Sequence, residues 1–198
     1  MSHSIGIVLF DGAEELDFAG PWEVFTMAAA QRDGVRVATL AERNAAIRCA
    51  KGMRVLPDRT LDESGPLDVV LVPGGIGTRR EVENPVLLEW LRKIAPGCSW
   101  VTSVCTGSLV LCGAGLARGR RVTTHWSFID SLRQRYPDTQ VLAHSRYVRD
   151  GNLVTAAGVS AGIDMALWLC GQLWGVEVAR NTQRAMEYDP APPYSADV

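Results

Sequence analysis

A cysteine, Cys105, sits between a run of β-formers, "SWVTSV" (99–104), and a helical pattern, "TGSLVLCGAGLA" (106–117). A nucleophile on a sharp strand-to-helix turn is held clear of the backbone, above the sheet. The helix that follows brings a partial positive charge to its start, which favours thiolate over thiol. Its free N–H groups can bind a developing anion. The N–H of Thr106 is the expected donor, with a second from the Gly74-Gly75 turn after "DVVLVP" (68–73). Glycine there lets the backbone come close to a substrate. Cys112 lies two helical turns on, roughly 10 Å away, which is beyond disulfide reach. Core packing is its expected role.

A thiol nucleophile needs a proton partner, and the usual one is histidine. The chain has three, His3, His125 and His144, and none directly follows Cys105. His3 falls in a terminus expected to fray. His144 ends a strand and reads as structural or exposed. His125, after "RVTT", is an accessory candidate. The alternative partner is a carboxylate. "EELD" offers Glu14, Glu15 and Asp17, with Glu23 beyond. Such acids ordinarily read as solvated charges at a helix start. Asp17 differs, because Leu16 and Phe18 flank it just before Gly20-Pro21. Desolvation there would raise its pKa and let it donate a proton near neutral pH. Ile76, Trp126, Trp22 and Phe128 are candidate apolar walls for a substrate, although core or interface packing is the commoner role of an aromatic.

Alternating strand and helix patterns must position these residues. Strands are predicted at 4–10, 35–41, 68–75, 99–104 and 139–144. Short strands or a hairpin are predicted within 47–61. The segment 146–158 reads as two strands joined at Asp150-Gly151, a strong hairpin pattern. Helices are predicted at 20–33 with Pro21 in the first turn, 84–96 with Pro85 at its start, 106–117, 124–136, 160–175 and 176–188. Continuous apolar strands alternating with helices predict an α/β fold, a mostly parallel sheet covered on both faces. Ligands in such sheets sit at strand carboxyl ends, at a switch in strand order. Cys105 and Gly74-Gly75 fall at carboxyl ends, and Asp17 lies beyond the first strand.

The whole chain sets limits on function. Its 198 residues fit one domain with a large core, 1–198. The formal net charge of -2 and the lack of a basic stripe beyond "RGRR" (118–121) argue against nucleic acid or an anionic membrane as partner. No apolar run reaches the ~18 residues of a membrane span. No basic n-region marks a signal peptide. The five cysteines are odd in number, irregularly spaced and without CxxC. A disulfide framework and a zinc site are therefore not expected, and a reduced, cytoplasmic setting is.

At these residues the chain resembles the ThiJ/PfpI superfamily, which is class I glutamine amidotransferase-like. The matching pieces are "IVLFDGAEELDFAGPWEVF", "VLVPGG", "VCTGSLVLCGAGLARGRRVTTHW", "DGNLVTAAGVSAGIDMAL" and "EYDPAPPY". The resemblance implies a flavodoxin-like sandwich with the cysteine on a nucleophile elbow, and a homodimer. "LDFAGP", "CTGS", "TTHW" and "PAPPY" look most like the isonitrile hydratase group, which adds water to R–N≡C to give an N-substituted formamide. That likeness implies Cys105 as nucleophile, Asp17 as its acidic partner, Thr106 as helper, a small-molecule substrate and no cofactor. Superfamily peptidases carry histidine directly after the nucleophile, where Thr106 stands. Glyoxalase- and deglycase-like members use an acid, the elbow cysteine and a histidine in "VTTH", which Asp17, Cys105 and His125 would fit, though those members usually have Glu at the place of Asp17. A redox-sensing module of the same fold is a further alternative, because an accessible low-pKa thiol oxidises readily. The sensory domain of AraC-type regulators also resembles this chain, but such regulators add a C-terminal helix-turn-helix module, and a transcription factor is not the expectation for these 198 residues. The closing Pro192-Pro193-Tyr194 reads as a cover for a dimer partner or as local packing.

Overall fold

The computed structural model describes residues 3–189. Its centre is a seven-stranded sheet in the order β10-β11-β7-β6-β1-β2-β5. These strands are β1 His3–Val8, β2 Val35–Ala41, β5 Arg59–Thr60, β6 Val69–Val72, β7 Trp100–Val104, β10 Tyr147–Asp150 and β11 Leu153–Ala156. Every neighbouring pair is parallel except the hairpin β10–β11, which turns at Gly151-Asn152. Residues 69–72 are wholly buried, as a strand covered on both faces must be. The register sets Ile5 beside Val37 and Val69, Val70 beside Val101, and Val101 beside Leu153.

From β1 the chain moves one way along the sheet to β2, and from β6 it moves the other way to β7. Right-handed crossovers in opposite directions put their helices on opposite faces and leave a crevice at the reversal. Helix α1 (Glu15–Ala29) packs with α6 (Ala161–Trp174) and α7 (Val176–Ala185). Helices α2 (Thr78–Glu81) and α3 (Pro85–Ile94) both pack against α4 (Gly107–Gly113). Asn84 starts α3 by accepting the Val86 N–H at 3.1 Å, with Pro85 at the first helical position. A small antiparallel ladder, β3 (Ile47–Arg48) with β4 (Arg54–Val55), lies near the start of α1, where Lys51 pairs with Glu14. A second, parallel ladder joins β8 (Arg121–Val122) to β9 (Gln140–Val141).

Several expectations are corrected. Helix α1 begins at Glu15, so Asp17 is in its first turn and Pro21 is interior. Acids in a first turn suit the helix dipole. Pro21 leaves the Asp17 carbonyl without its usual helical donor, and its ring lies close against Gly162 of α6. His3 is not frayed. It belongs to β1 and accepts the Trp174 indole N–H at 3.1 Å. The 124–136 helix is a 3-10 turn (Trp126–Phe128) followed by α5 (Ile129–Arg135), and the 139–144 strand shortens to β9. The Pro192-Pro193-Tyr194 segment lies outside the described residues. Among the described residues no helix is long and apolar enough to cross a membrane.

Candidate active site

Three chain segments meet at the crevice. Cys105 ends β7 with φ 55°, a left-handed conformation that a side chain rarely adopts. The fold over-determines it. The Cys105 N–H donates to Ala156 O at 3.1 Å and Ala157 O at 3.0 Å. Its carbonyl accepts the Thr124 hydroxyl at 3.0 Å and the Ser108 hydroxyl at 3.2 Å. Strain of about 1–3 kcal/mol held in this way aims a side chain that relaxed backbone would not. Gly74 is the second segment. A Cβ on it would lie 2.5 Å from Thr106 N, 2.7 Å from Cys105 Cβ and 2.8 Å from Asp17 Oδ2, so no other residue fits between the three.

Asp17 is the third. It is fully buried, and Gly74 N–H donates to its Oδ2 at 2.8 Å. Its other oxygen, Oδ1, meets no donor among the described residues. Burial drives the Asp17 pKa up from 3.8 to about 7, and the Glu14 charge adds to the rise. The Gly74 N–H, the neighbouring Cys105 thiol and Lys51 only partly offset it. A helix N-terminus favours a carboxylate, but here desolvation outweighs it.

The Cys105 thiol is neutral at rest. Burial, then the Asp17 charge, push its pKa up to about 12, against the pull of the Thr106 and Val159 N–H groups and the Thr106 hydroxyl. The start of α4 and the neighbouring carboxylate pull the thiol in opposite directions, and loss of water, the largest effect, holds it protonated.

The expected second oxyanion donor is corrected. Neither glycine N–H is free, since Gly74 N serves Asp17 and Gly75 N donates to Thr106 Oγ1 at 3.0 Å. The second donor facing the sulfur is Val159 N–H. Val159 has φ 50°, an outlier for a β-branched residue. The Thr106 hydroxyl ties down Gly75, Thr78 and Arg79, at 3.0, 3.2 and 3.4 Å, rather than Asp17. Arg79 is a further site residue. Its Nη1 also donates to Gly75 O at 3.0 Å, and its guanidinium lies 4.8 Å over the Phe128 ring.

The remaining candidates scatter. His125 packs against Gly158, next to Val159, and its Nδ1 pairs with Ser127 Oγ at 2.8 Å, so the ring is near the elbow without bonding Cys105. Trp126 is 80% exposed and Ile76 66%, so both are open to a ligand rather than core. Trp22 lies on α1 more than a turn beyond Asp17 and is partly exposed. His144 is exposed. A cleft of about 640 Å³ runs behind the elbow, lined by Thr124, Trp126, Ile129, His144, Arg146 and Ala157 among others; Cys105 and Asp17 do not line it.

The chain as a whole has counterparts among known proteins. The DJ-1/PfpI family model matches residues 3–172. The chain belongs to the DJ-1/PfpI family. It is 40% identical over 197 residues to isonitrile hydratase of Pseudomonas putida, which covers 99% of this chain and 83% of that protein. It is 32% identical over 181 residues to the Parkinson disease protein 7 homolog of Danio rerio, covering 89% and 93%. A ThiJ/PfpI family protein from Pseudomonas syringae superposes with a TM-score of 0.90 at 30% identity, covering all of this chain and 80% of that one. The flavodoxin-like α/β fold follows from the parallel sheet and from these neighbours.

Proposed function

We propose that this protein is an isonitrile hydratase that uses Cys105 as nucleophile and Asp17 as proton shuttle. The observation that carries the reading is the pairing of a neutral elbow thiol with a buried carboxyl whose pKa is about 7, with no histidine on either. The 40% identity to the Pseudomonas putida enzyme supports it.

The chemistry needs an acid first. An isonitrile carbon becomes electrophilic as it takes up a proton. Protonated Asp17 gives its proton to that carbon, and Cys105 sulfur forms the S–C bond. The thiol proton returns to Asp17, leaving the thioimidate R–N=CH–S–Cys105. Asp17 then protonates the imine nitrogen, and its carboxylate takes a proton from the attacking water. The adduct R–NH–CH(OH)–S–Cys105 collapses as its hydroxyl proton passes through Asp17 to the sulfur. R–NH–CHO leaves and the thiol is restored. Thr106 and Val159 N–H groups stabilise charge on the departing sulfur. Ile76 and Trp126 offer apolar surface to R, and no step calls for a metal or cofactor. A homodimer is part of the proposal, and residues 1–198 are its single working domain.

The test is conversion of cyclohexyl isocyanide to N-cyclohexylformamide by wild type and Cys105→Ala, followed by chromatography. Turnover by wild type alone supports the reading; a folded, reduced wild type that leaves the isocyanide untouched overturns it. A glyoxalase-like activity is the second reading, favoured by the nearness of His125 to the elbow. It requires hydroxy acid from methylglyoxal and loss of that activity in His125→Ala.

A further inference from the structure

We propose that Arg79 is a specificity-determining residue that makes isonitriles bearing a carboxylate on a short linker the preferred substrates of this site. The inference rests on the hydratase reading and adds the substrate class to it.

Arg79 is exposed, yet it is held in place. Its Nη1 donates to Gly75 O at 3.0 Å, Thr78 Oγ1 at 3.1 Å and Thr106 Oγ1 at 3.4 Å. The Phe128 ring supports the guanidinium from one face. All three bonds use one corner of the fork. Among the described residues, neither Nε nor Nη2 donates to a protein atom, and no carboxylate lies within ion-pair distance. Nε and Nη2 form the edge that binds a carboxylate through two parallel N–H···O bonds.

The next residue shows the contrast. Arg80 spends the same two groups on one carboxylate, with Nε and Nη2 donating to Glu81 Oε1 at 2.8 and 2.6 Å. One arginine is internally satisfied, while its neighbour keeps an empty edge on a guanidinium bonded to Thr106, the residue that follows Cys105. Thr106 links the two, since its hydroxyl accepts from Arg79 and its N–H faces the Cys105 sulfur. A pre-positioned guanidinium has already lost most of the freedom that binding would cost it.

The probes are isocyanoacetate and its methyl ester, which differ in charge and share the reacting group. Wild type should favour the carboxylate in kcat/KM by about tenfold, equivalent to about 1.4 kcal/mol, with the difference in KM. Arg79→Gln should erase that ratio and Arg79→Lys should keep part of it. Equal kcat/KM for both probes in wild type, or a ratio unmoved in Arg79→Gln, overturns the proposal. A second readout needs no isonitrile turnover. The rate of Cys105 alkylation by iodoacetate relative to iodoacetamide, read by peptide mass spectrometry, should fall about tenfold in Arg79→Gln. An unchanged alkylation ratio overturns the anion preference. A falling ratio in a protein that hydrates neither isonitrile keeps the anion preference and discards the hydratase reading.

Discussion

Cys105 and Cys112 stand at the two ends of α4 and are alike by any measure of burial. They are 7% and 6% exposed, and burial pushes both thiols up to about 12. Their surroundings differ. Cys112 faces the Thr139 hydroxyl within the core and has ordinary helical backbone. Cys105 has strained backbone, two N–H groups aimed at its sulfur and a titratable carboxyl against it. On the proposed reading, Cys105 is set apart by the groups able to move its proton and receive its charge, and not by its own resting pKa.

The sharpest way to break this comparison is to truncate each thiol. Cys105→Ala should lower turnover by about 10⁴-fold or more. Cys112→Ala should keep turnover within a few-fold and lose about 1 kcal/mol of stability. Loss of activity in Cys112→Ala at unchanged fold would show that the comparison is false.

Asp17→Asn should lower turnover about 10²–10⁴-fold, the usual weight of a general acid–base group. The same variant has a thermodynamic signature. Folded Asp17 binds its proton up to about pH 7, and in the unfolded chain only up to its ordinary value of 3.8. The native state thus holds more protons between those values, so stability falls as pH rises through that window, by up to about 4 kcal/mol. Denaturant melts at pH 4 and pH 8 should show that loss in wild type and a flatter profile in Asp17→Asn.

Gly74→Ala should lower turnover about 10²-fold and destabilise by about 1–3 kcal/mol, because its methyl would push apart Thr106, Cys105 and Asp17. The mildest test is a pH profile. In the proposed mechanism the acid form of Asp17 starts the reaction, so kcat/KM should fall about tenfold per unit above roughly pH 7. A profile flat to pH 9 would remove Asp17 from the first step.

Much of this was legible in the sequence. The run into Cys105 gave the elbow, the continuous apolar strands gave the parallel sheet, and Leu16 and Phe18 pointed to a desolvated Asp17. What was hidden is mostly backbone. Every residue except proline carries an N–H, so nothing in "AAGVSAG" distinguishes Val159 as a donor; only its place beside the Cys105 sulfur does. The engagement of both Gly74 and Gly75 depends on which neighbours arrive in three dimensions. Arg79 follows a glycine-rich turn in "GGIGTRRE" and reads as one of two solvated arginines, because their difference lies in which atoms find partners. Pro21 misled in the other direction. Its preference for a first turn is real, but packing against Gly162 keeps it inside α1.

The close approach of Gly74 to Cys105, Thr106 and Asp17 has a consequence for how such a protein can evolve. The proposed reacting centre closes around main chain at Gly74, where any side chain collides. On the rim around it, Ile76 and Trp126 are exposed and outside that scaffold, while Arg79 is exposed and bonded to it through Gly75 and Thr106. Reaction and selectivity can thus change separately, and a library randomised at Ile76 and Trp126 would explore new substrates while leaving the main-chain scaffold as it is.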